Sequence, residues 1–258
     1  MIEQRHASLI RDQFTRQADV FSAAAPITDT QALDLLIEAA EPSPERDSLD
    51  VACGGGLIVC ALAAHVRRAV GVDLTPAMLD RARALVASRG LDNCIFQLAD
   101  AQSLPFADGA FAVVTTRFSL HHMADPLAVL REMVRVCAPG GHIVVADMYA
   151  SEQPAQAEAW NRLERLRDPS HVRALRLSEL RELFPAAGLP APQTRFYDLR
   201  DEVKNLLARS FPQPGDRSRI EAMFAAQAEQ DTMGITVRRQ GDALHYAYPV
   251  AILSAARP

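Results

Sequence analysis

Lysine is nearly absent: Lys204 is the only one among the 27 basic residues of this 258-residue chain, and the remaining basic residues are scattered arginines. With a net charge of -5, no basic stripe is left to neutralise a phosphate backbone or an anionic lipid surface. Neither nucleic acid nor membrane is therefore expected as a partner. No apolar run reaches the length that spans a bilayer, and no basic-then-apolar stretch opens the sequence. A cytoplasmic location is the expectation. Cysteine is scarce: the four stand at 53, 60, 94 and 137, none in a Cys-x-x-Cys pair. The seven histidines form no His-Glu-x-x-His pattern. No metal is expected, and the cysteines read as reduced core residues. A Gly-Lys-Ser/Thr phosphate loop, internal repeats and low-complexity tracts are also missing.

What remains is ordinary globular composition, 49% hydrophobic and 23% charged, in a strand–helix rhythm. Residues 3–22 read as a helix, and Thr28 to Gln31 as a capping box opening an amphipathic helix. Strands follow at 48–52, 69–72, "CIFQLA", "AFAVVTT" and "HIVVADM". Between them lie helices near 57–65, from Pro76 to Gly90, and from Pro126, the last with Leu127, Leu130, Met133 and Val134 on one face. This alternation predicts an α/β fold, a doubly wound and mostly parallel sheet. After Tyr149 the rhythm changes to a helix containing Trp160, a Ser178-capped helix and a strand at 193–199. Two helical stretches between 201 and 230 follow, then the strand "LHYAYPVAIL". Pro249 favours an edge position or a bulge for that last strand. One domain over 1–258 is expected, with a cofactor-binding core at 10–150 and a lid or substrate-facing part at 150–240.

Ligands of such sheets bind where the strands end at their carboxyl edge. The first strand closes with "LDVACGGG", the second at Asp73, the third at Asp100 and the fourth near Arg117. Three glycines in a turn allow close approach to the backbone. A dinucleotide would want a third spaced glycine, but Val59 and Cys60 stand there, although Asp73 sits at the right distance for a ribose contact. Asp50 beside the glycines would repel a pyrophosphate. It suits a ligand carrying positive charge.

In these motifs the chain resembles the class I S-adenosylmethionine-dependent methyltransferases, closest to the type 11 branch that includes ubiquinone- and menaquinone-biosynthesis enzymes. "LDVACGGG" and "GVDLTPAML" resemble its first two motifs, and "LADAQSLPFADGAFAVV" its third and fourth. "LHHMADPLAVLREMVRVCAPGGHIVVAD" resembles the segment through the fifth strand. The match covers about residues 10–150. It implies a Rossmann-like sheet of seven strands, the last antiparallel, with helical lid elements. The implied cofactor is S-adenosyl-L-methionine, released as S-adenosyl-L-homocysteine. By the same resemblance Asp50 faces the methionine amino group, and Ala52, Cys53 and Gly54 pass beneath the cofactor. Asp73 accepts from the ribose hydroxyls and Leu74 covers the adenine. Asp100 binds the adenine amino group, and the Ala101 backbone meets a ring nitrogen. Met78 and Gln102 complete the wall, Arg117 passes its backbone near the sulfonium, and Phe14 and Gln17 lie on a helix closing over the cofactor. Gly55 replaces the common Thr or Ser, and Ala112 the common Asp.

The implied reaction is methyl transfer to O or N of a small, fairly apolar metabolite, with C-methylation of a quinone-like ring close behind. The alternative is a non-methylating member of the fold, a cyclase or an accessory cofactor-binding protein. An acceptor hydroxyl or protonated amine needs a base. "TTRFSLHHM" places His121 and His122 after the fourth strand, with His122 favoured, and His171 in "DPSHVR" is a further substrate-facing candidate.

Overall fold

Alternating apolar runs and capped helices build one sheet in the computed structural model, which describes residues 2–22 and 24–258. Five strands are parallel: β1 (Asp47–Val51), β2 (Arg68–Asp73), β3 (Cys94–Leu98), β4 (Phe111–Arg117) and β5 (Cys137–Met148). Three more follow: β6 (Gln193–Glu202), β7 (Thr236–Gln240) and β8 (Ala243–Ala256). The order is β3-β2-β1-β4-β5-β8-β6, seven strands with β8 antiparallel to β5, and β7 pairs separately with β8. The order reverses between β1 and β4. That is the switch point at which ligands of doubly wound sheets bind.

The helices are α1 (Ile2–Ser22), α2 (Thr30–Ala40), α3 (Leu57–Ala63), α4 (Pro76–Ser88), α5 (Pro126–Val136), α6 (Pro154–Arg167), α7 (Leu177–Ala186), α8 (Val203–Ala208) and α9 (Asp216–Glu229). Two apolar clusters cover the two faces of the sheet. One joins α5 and α7 to the strands through Leu130, Met133, Leu180 and Phe184. The other joins α2, α3 and α4 through Leu36, Ile58, Leu62 and Leu79. A third, around Trp160, Ile220, Phe224 and Tyr248, packs α6, α8 and α9 against β8. On α5 the deepest positions include Val129 and Val136, while Leu127 and Val134 are only partly buried.

Several local expectations are corrected. The cap of α2 is Asp29, whose carboxylate accepts the Gln31 N–H at 2.9 Å. Thr28 instead turns its hydroxyl back to the Ala24 and Ala25 carbonyls. A charged acceptor suits the positive end of a helix better than a hydroxyl. Helix α7 starts after Arg176, and the Ser178 hydroxyl donates to Glu152 at 2.8 Å rather than capping its own helix. Strand β8 is not an edge: it lies between β5 and β6. Pro249 is tolerated because its carbonyl takes the Tyr149 N–H at 3.1 Å just past the end of the β5 ladder, so its missing donor costs no pairing to β6. Strand β7 was not foreseen, since "TVRRQ" is mostly polar. Its hairpin signal was Gly241-Asp242, with Gly241 at φ +59°.

The glycine turn shows why the first helix and its neighbour fit. Gly56 has φ +79°, and a Cβ there would stand 2.7 Å from the Ala82 Cβ of α4. Strain and overpacking should make Gly56→Ala cost about 2–4 kcal/mol. Gly188, at φ +86° with no atom within 4 Å of a built Cβ, should lose only about 1–2 kcal/mol as Ala, from backbone conformation. Urea unfolding of both variants checks the difference, and equal losses would remove the packing role of Gly56.

Candidate active site

The turn after β1 alternates left-handed residues: Ala52 at φ 54°, Gly54 at 51° and Gly56 at 79°. It is pinned by Cys53 N–H to the Val72 carbonyl at 2.8 Å and by Gly56 N–H to the Cys53 carbonyl at 3.0 Å. Asp73, at the end of β2, accepts the Gly54 N–H (2.9 Å) on one oxygen and the Thr75 N–H (2.8 Å) on the other. Each oxygen keeps a second lone pair for a ligand hydroxyl. Burial pushes this carboxyl above its ordinary range despite the two amides. Gly54 lines the cavity, and a Cβ built on it would meet nothing within 4 Å. A side chain there would stand in open space beside the turn.

Asp50 is 2% exposed and takes the Thr115 hydroxyl at 2.7 Å. Its carboxyl is pushed up to about 7, above all by burial. The Thr115 bond and the Arg117 charge work against that rise, and Asp73 adds to it. Such a group resists ionisation until a cation arrives. Asp100 stays exposed and accepts the Gln102 N–H at 2.9 Å.

These residues line one cavity of about 540 Å³, within the range of small-molecule sites. Asp50, Ala52, Cys53 and Gly54 form one wall, and Asp73, Leu74 and Met78 the next. Asp100, Ala101 and Gln102, and Arg117, Phe118 and His122, line the rest. Helix α1 crosses the mouth with His6, Ile10 and Phe14. His6 Nε2 donates to the His122 carbonyl at 2.7 Å, and the Phe14 ring meets the His122 ring edge-on at 5.0 Å. Gln17 lies off this cavity, its amide donating to Asp168 at 3.1 Å.

The turn Leu120–His122 separates the two histidines. His121 Nδ1 stands 2.6 Å from Asp147 at the end of β5. His122 Nδ1 donates to the Ser170 carbonyl at 3.1 Å. That contact protonates Nδ1 and leaves the Nε2 lone pair open. Burial, with neighbouring His121, pulls His122 down to about 4. His171 is 3% exposed and off the cavity wall. It sits not in a solvated turn but against Asn161 Oδ1 at 2.8 Å. Burial and its neighbouring histidines hold it neutral.

Beyond His122 lies a second, smaller chamber of about 50 Å³ that shares Phe14, Ile27, Phe118 and His122 with the large cavity. Gln17, His121, Arg167, Asp168, Arg209 and Tyr246 also face it. Sequence reading missed Asp147, Arg167, Asp168 and Arg209. Asp147 had a signal, as a fourth strand-end carboxylate in "VVADM". The others are supplied by α6 and α8 or their ends, where no motif marks them.

The architecture has counterparts. A family model described as "Methyltransferase domain" (Methyltransf_11) matches residues 49–145. The uncharacterized methyltransferase YcgJ of Bacillus subtilis (strain 168) is 31% identical over 93% of this chain and 96% of its own length. Its crystal structure superposes with a TM-score of 0.80, covering 89% of this chain and all of that one. Demethylmenaquinone methyltransferase of Thermus thermophilus is 43% identical over 45% of this chain and 52% of its own. The geranyl diphosphate C-methyltransferase of Streptomyces coelicolor A3(2), solved with S-adenosyl-L-homocysteine, shares the fold at 18% identity and TM-score 0.64, over 89% of this chain and 79% of that one. The sheet order, the pinned glycine turn and these matches place the chain in the class I S-adenosylmethionine-dependent methyltransferases, type 11.

Proposed function

We propose that this enzyme transfers the methyl group of S-adenosyl-L-methionine to an oxygen or nitrogen of a small, fairly apolar metabolite, with His122 removing the acceptor's proton. The observation that carries the reading is the position of His122 on the wall shared by the large cavity and the smaller chamber. When bound, the cofactor supplies an electrophilic methyl group on a sulfonium.

The chain's own residues then have distinct tasks. Asp50, neutral or ionised near pH 7, takes the cofactor's ammonium as a carboxylate. Asp73 offers its spare lone pairs to the ribose hydroxyls, while Asp100 and the Ala101 backbone receive the adenine edge. Leu74, Met78 and Cys53 supply apolar wall, Arg117 borders the sulfonium end, and Phe14 on α1 excludes water above it. His122 accepts the acceptor's proton at Nε2. His121, held by Asp147, supports the turn from behind. His171 anchors the loop after α6, where the Val172 and Arg173 amides donate to the His121 carbonyl at 2.9 and 3.0 Å.

Asp50 makes cofactor binding depend on pH. A carboxyl raised to about 7 must lose its proton to meet an ammonium, so binding should weaken roughly tenfold per unit as pH falls below 7 and level off above it. In the free protein the same raised value opposes folding at higher pH, because the stability it contributes is lost as pH rises through 7. Calorimetry with S-adenosyl-L-homocysteine between pH 5.5 and 8.5 checks this. Asp50→Asn should bind more weakly at pH 8 with a flat profile; a flat wild-type profile would remove Asp50 as the ammonium partner.

The base has its own signature. His122→Ala should lower turnover ~10²–10⁴-fold with cofactor affinity within a few-fold of wild type. Since His122 is pulled down to about 4, the wild-type rate should rise through that acidic pH and stay level at neutrality. The same loss in His121→Ala alone would move the base to the imidazole that Asp147 holds. Unchanged turnover in both would fit C-methylation of an ionised ring and end the base assignment.

A further inference from the structure

The smaller chamber is walled by two arginines, and both are already paired with carboxylates. Arg167 Nε and Nη2 both donate to Glu164 Oε2, at 3.0 and 2.6 Å, and Nη1 donates to Ser210 Oγ at 3.2 Å. Arg209 Nη1 donates to Asp201 at 2.6 Å and Nη2 to the Tyr246 hydroxyl at 2.9 Å. Asp168 receives the Ser170 amide at 2.9 Å, the Ser170 hydroxyl at 2.6 Å and the Gln17 amide. Asp147 faces His121. Two guanidiniums and one carboxylate, Asp168, line the chamber, while Glu164, Asp201 and Asp147 pair with Arg167, Arg209 and His121 from outside the lining. His122 adds no positive charge at neutral pH because burial depresses it. The rest of the wall is apolar: Ile27, Met148, Leu199 and Leu206, with the Phe14 and Phe118 rings.

We propose that this chamber is the methyl-acceptor site and that it selects an uncharged, mainly apolar acceptor, rejecting carboxylates and phosphates because its arginines are already committed to carboxylates. An anion entering here would lose its hydration while both lining arginines are already held by carboxylates, and it would meet the carboxylate of Asp168. An uncharged hydroxyl meets no such penalty. Its proton points to the histidine turn, and its oxygen can receive the Tyr246 O–H, which burial keeps protonated by pushing its pKa up to about 12. The chamber is small, about 50 Å³, so a ring-sized acceptor must displace part of its wall on entry. The proposal rests on the methyltransferase reading, and its test is built to fail separately from it.

The specificity follows from the pairing, so it can be reversed. Asp201 lies behind Arg209, outside the chamber wall. Asp201→Asn leaves Arg209 without its counter-charge and should admit a carboxylate. Phenol, benzoate and phenyl phosphate make a matched set of probes with one ring and three charges.

The protein is first titrated with S-adenosyl-L-homocysteine by calorimetry; no binding would end the methyltransferase reading itself. The loaded protein is then titrated with each probe by saturation-transfer NMR. Phenol should bind at least about tenfold more tightly than benzoate or phenyl phosphate. Leu206→Phe, which fills the chamber, should abolish phenol binding while still binding S-adenosyl-L-homocysteine. Asp201→Asn should tighten benzoate at least about fivefold and leave phenol unchanged, whereas Asp198→Asn, on the exposed side of β6, should do neither. Benzoate or phenyl phosphate binding wild type as well as phenol does, phenol surviving Leu206→Phe, or no probe binding at all would each overturn the proposal. Should Asp201→Asn fail to fold, the wild-type and Leu206→Phe comparisons decide it alone.

Discussion

The carboxylate of Asp73 holds the site together. One oxygen takes the amide of Gly54 in the turn after β1, and the other takes the amide of Thr75 at the start of α4. Two backbone segments from separate strand ends are thereby fixed to one partly buried carboxyl group. The turn itself depends on residues that can adopt positive φ and on the absence of a side chain at Gly56, where α3 and α4 meet. Once these are in place, Gly54 and Asp73 both line the cavity.

The site as a whole is an exercise in burying charge under control. Asp50 has one hydroxyl partner and a cavity in front of it, and its pKa rises to about 7. Asp168, buried as well, goes the other way, to about 2, because His122, Arg167 and hydrogen bonds from Ser170 and Gln17 outweigh its desolvation. Partner geometry decides the sign. A carboxylate left short of partners is ready for a cation, and one already satisfied serves as structure.

The C-terminal part of the chain supplies much of the wall of the smaller chamber. Inserting β8 between β5 and β6 brings Tyr246 and Tyr248 beside α6 and α8. The Tyr248 hydroxyl donates to Glu164 at 2.7 Å, linking β8 to the helix that also presents Arg167. The loop after α6 then docks on the His121 carbonyl through two amides. The histidine turn is held from both sides, by Asp147 of the sheet and by this loop. Its two imidazoles can therefore have different surroundings although they are adjacent in sequence.

Much of this was legible in the sequence. Strand–helix alternation, Pro76 and Pro126 at helix starts, and aspartates closing three successive strands are local features, set by side-chain period and backbone geometry. They sufficed for the α/β sheet, for the cavity wall from Asp50 to Gln102, and for the family. The cap at Asp29 was missed because two capping residues stood side by side and only hydrogen-bond geometry ranks them. Pro249 misled because its compatibility with an interior strand depends on where the β5 ladder ends. What separates His121 from His122 also had to wait for tertiary structure. Their partners lie 26 and 48 residues away, and the Gln17–Asp168 contact spans 151. No period or motif encodes which buried charges meet across such distances. The sequence by itself determined the elements and many of the residues that line the large cavity, since those follow from neighbours along the chain. Folding decided which polar groups meet around the smaller chamber, such as Arg209 with Asp201 and Gln17 with Asp168, since these join different elements, whereas Arg167 and Glu164 already stand one turn apart on α6.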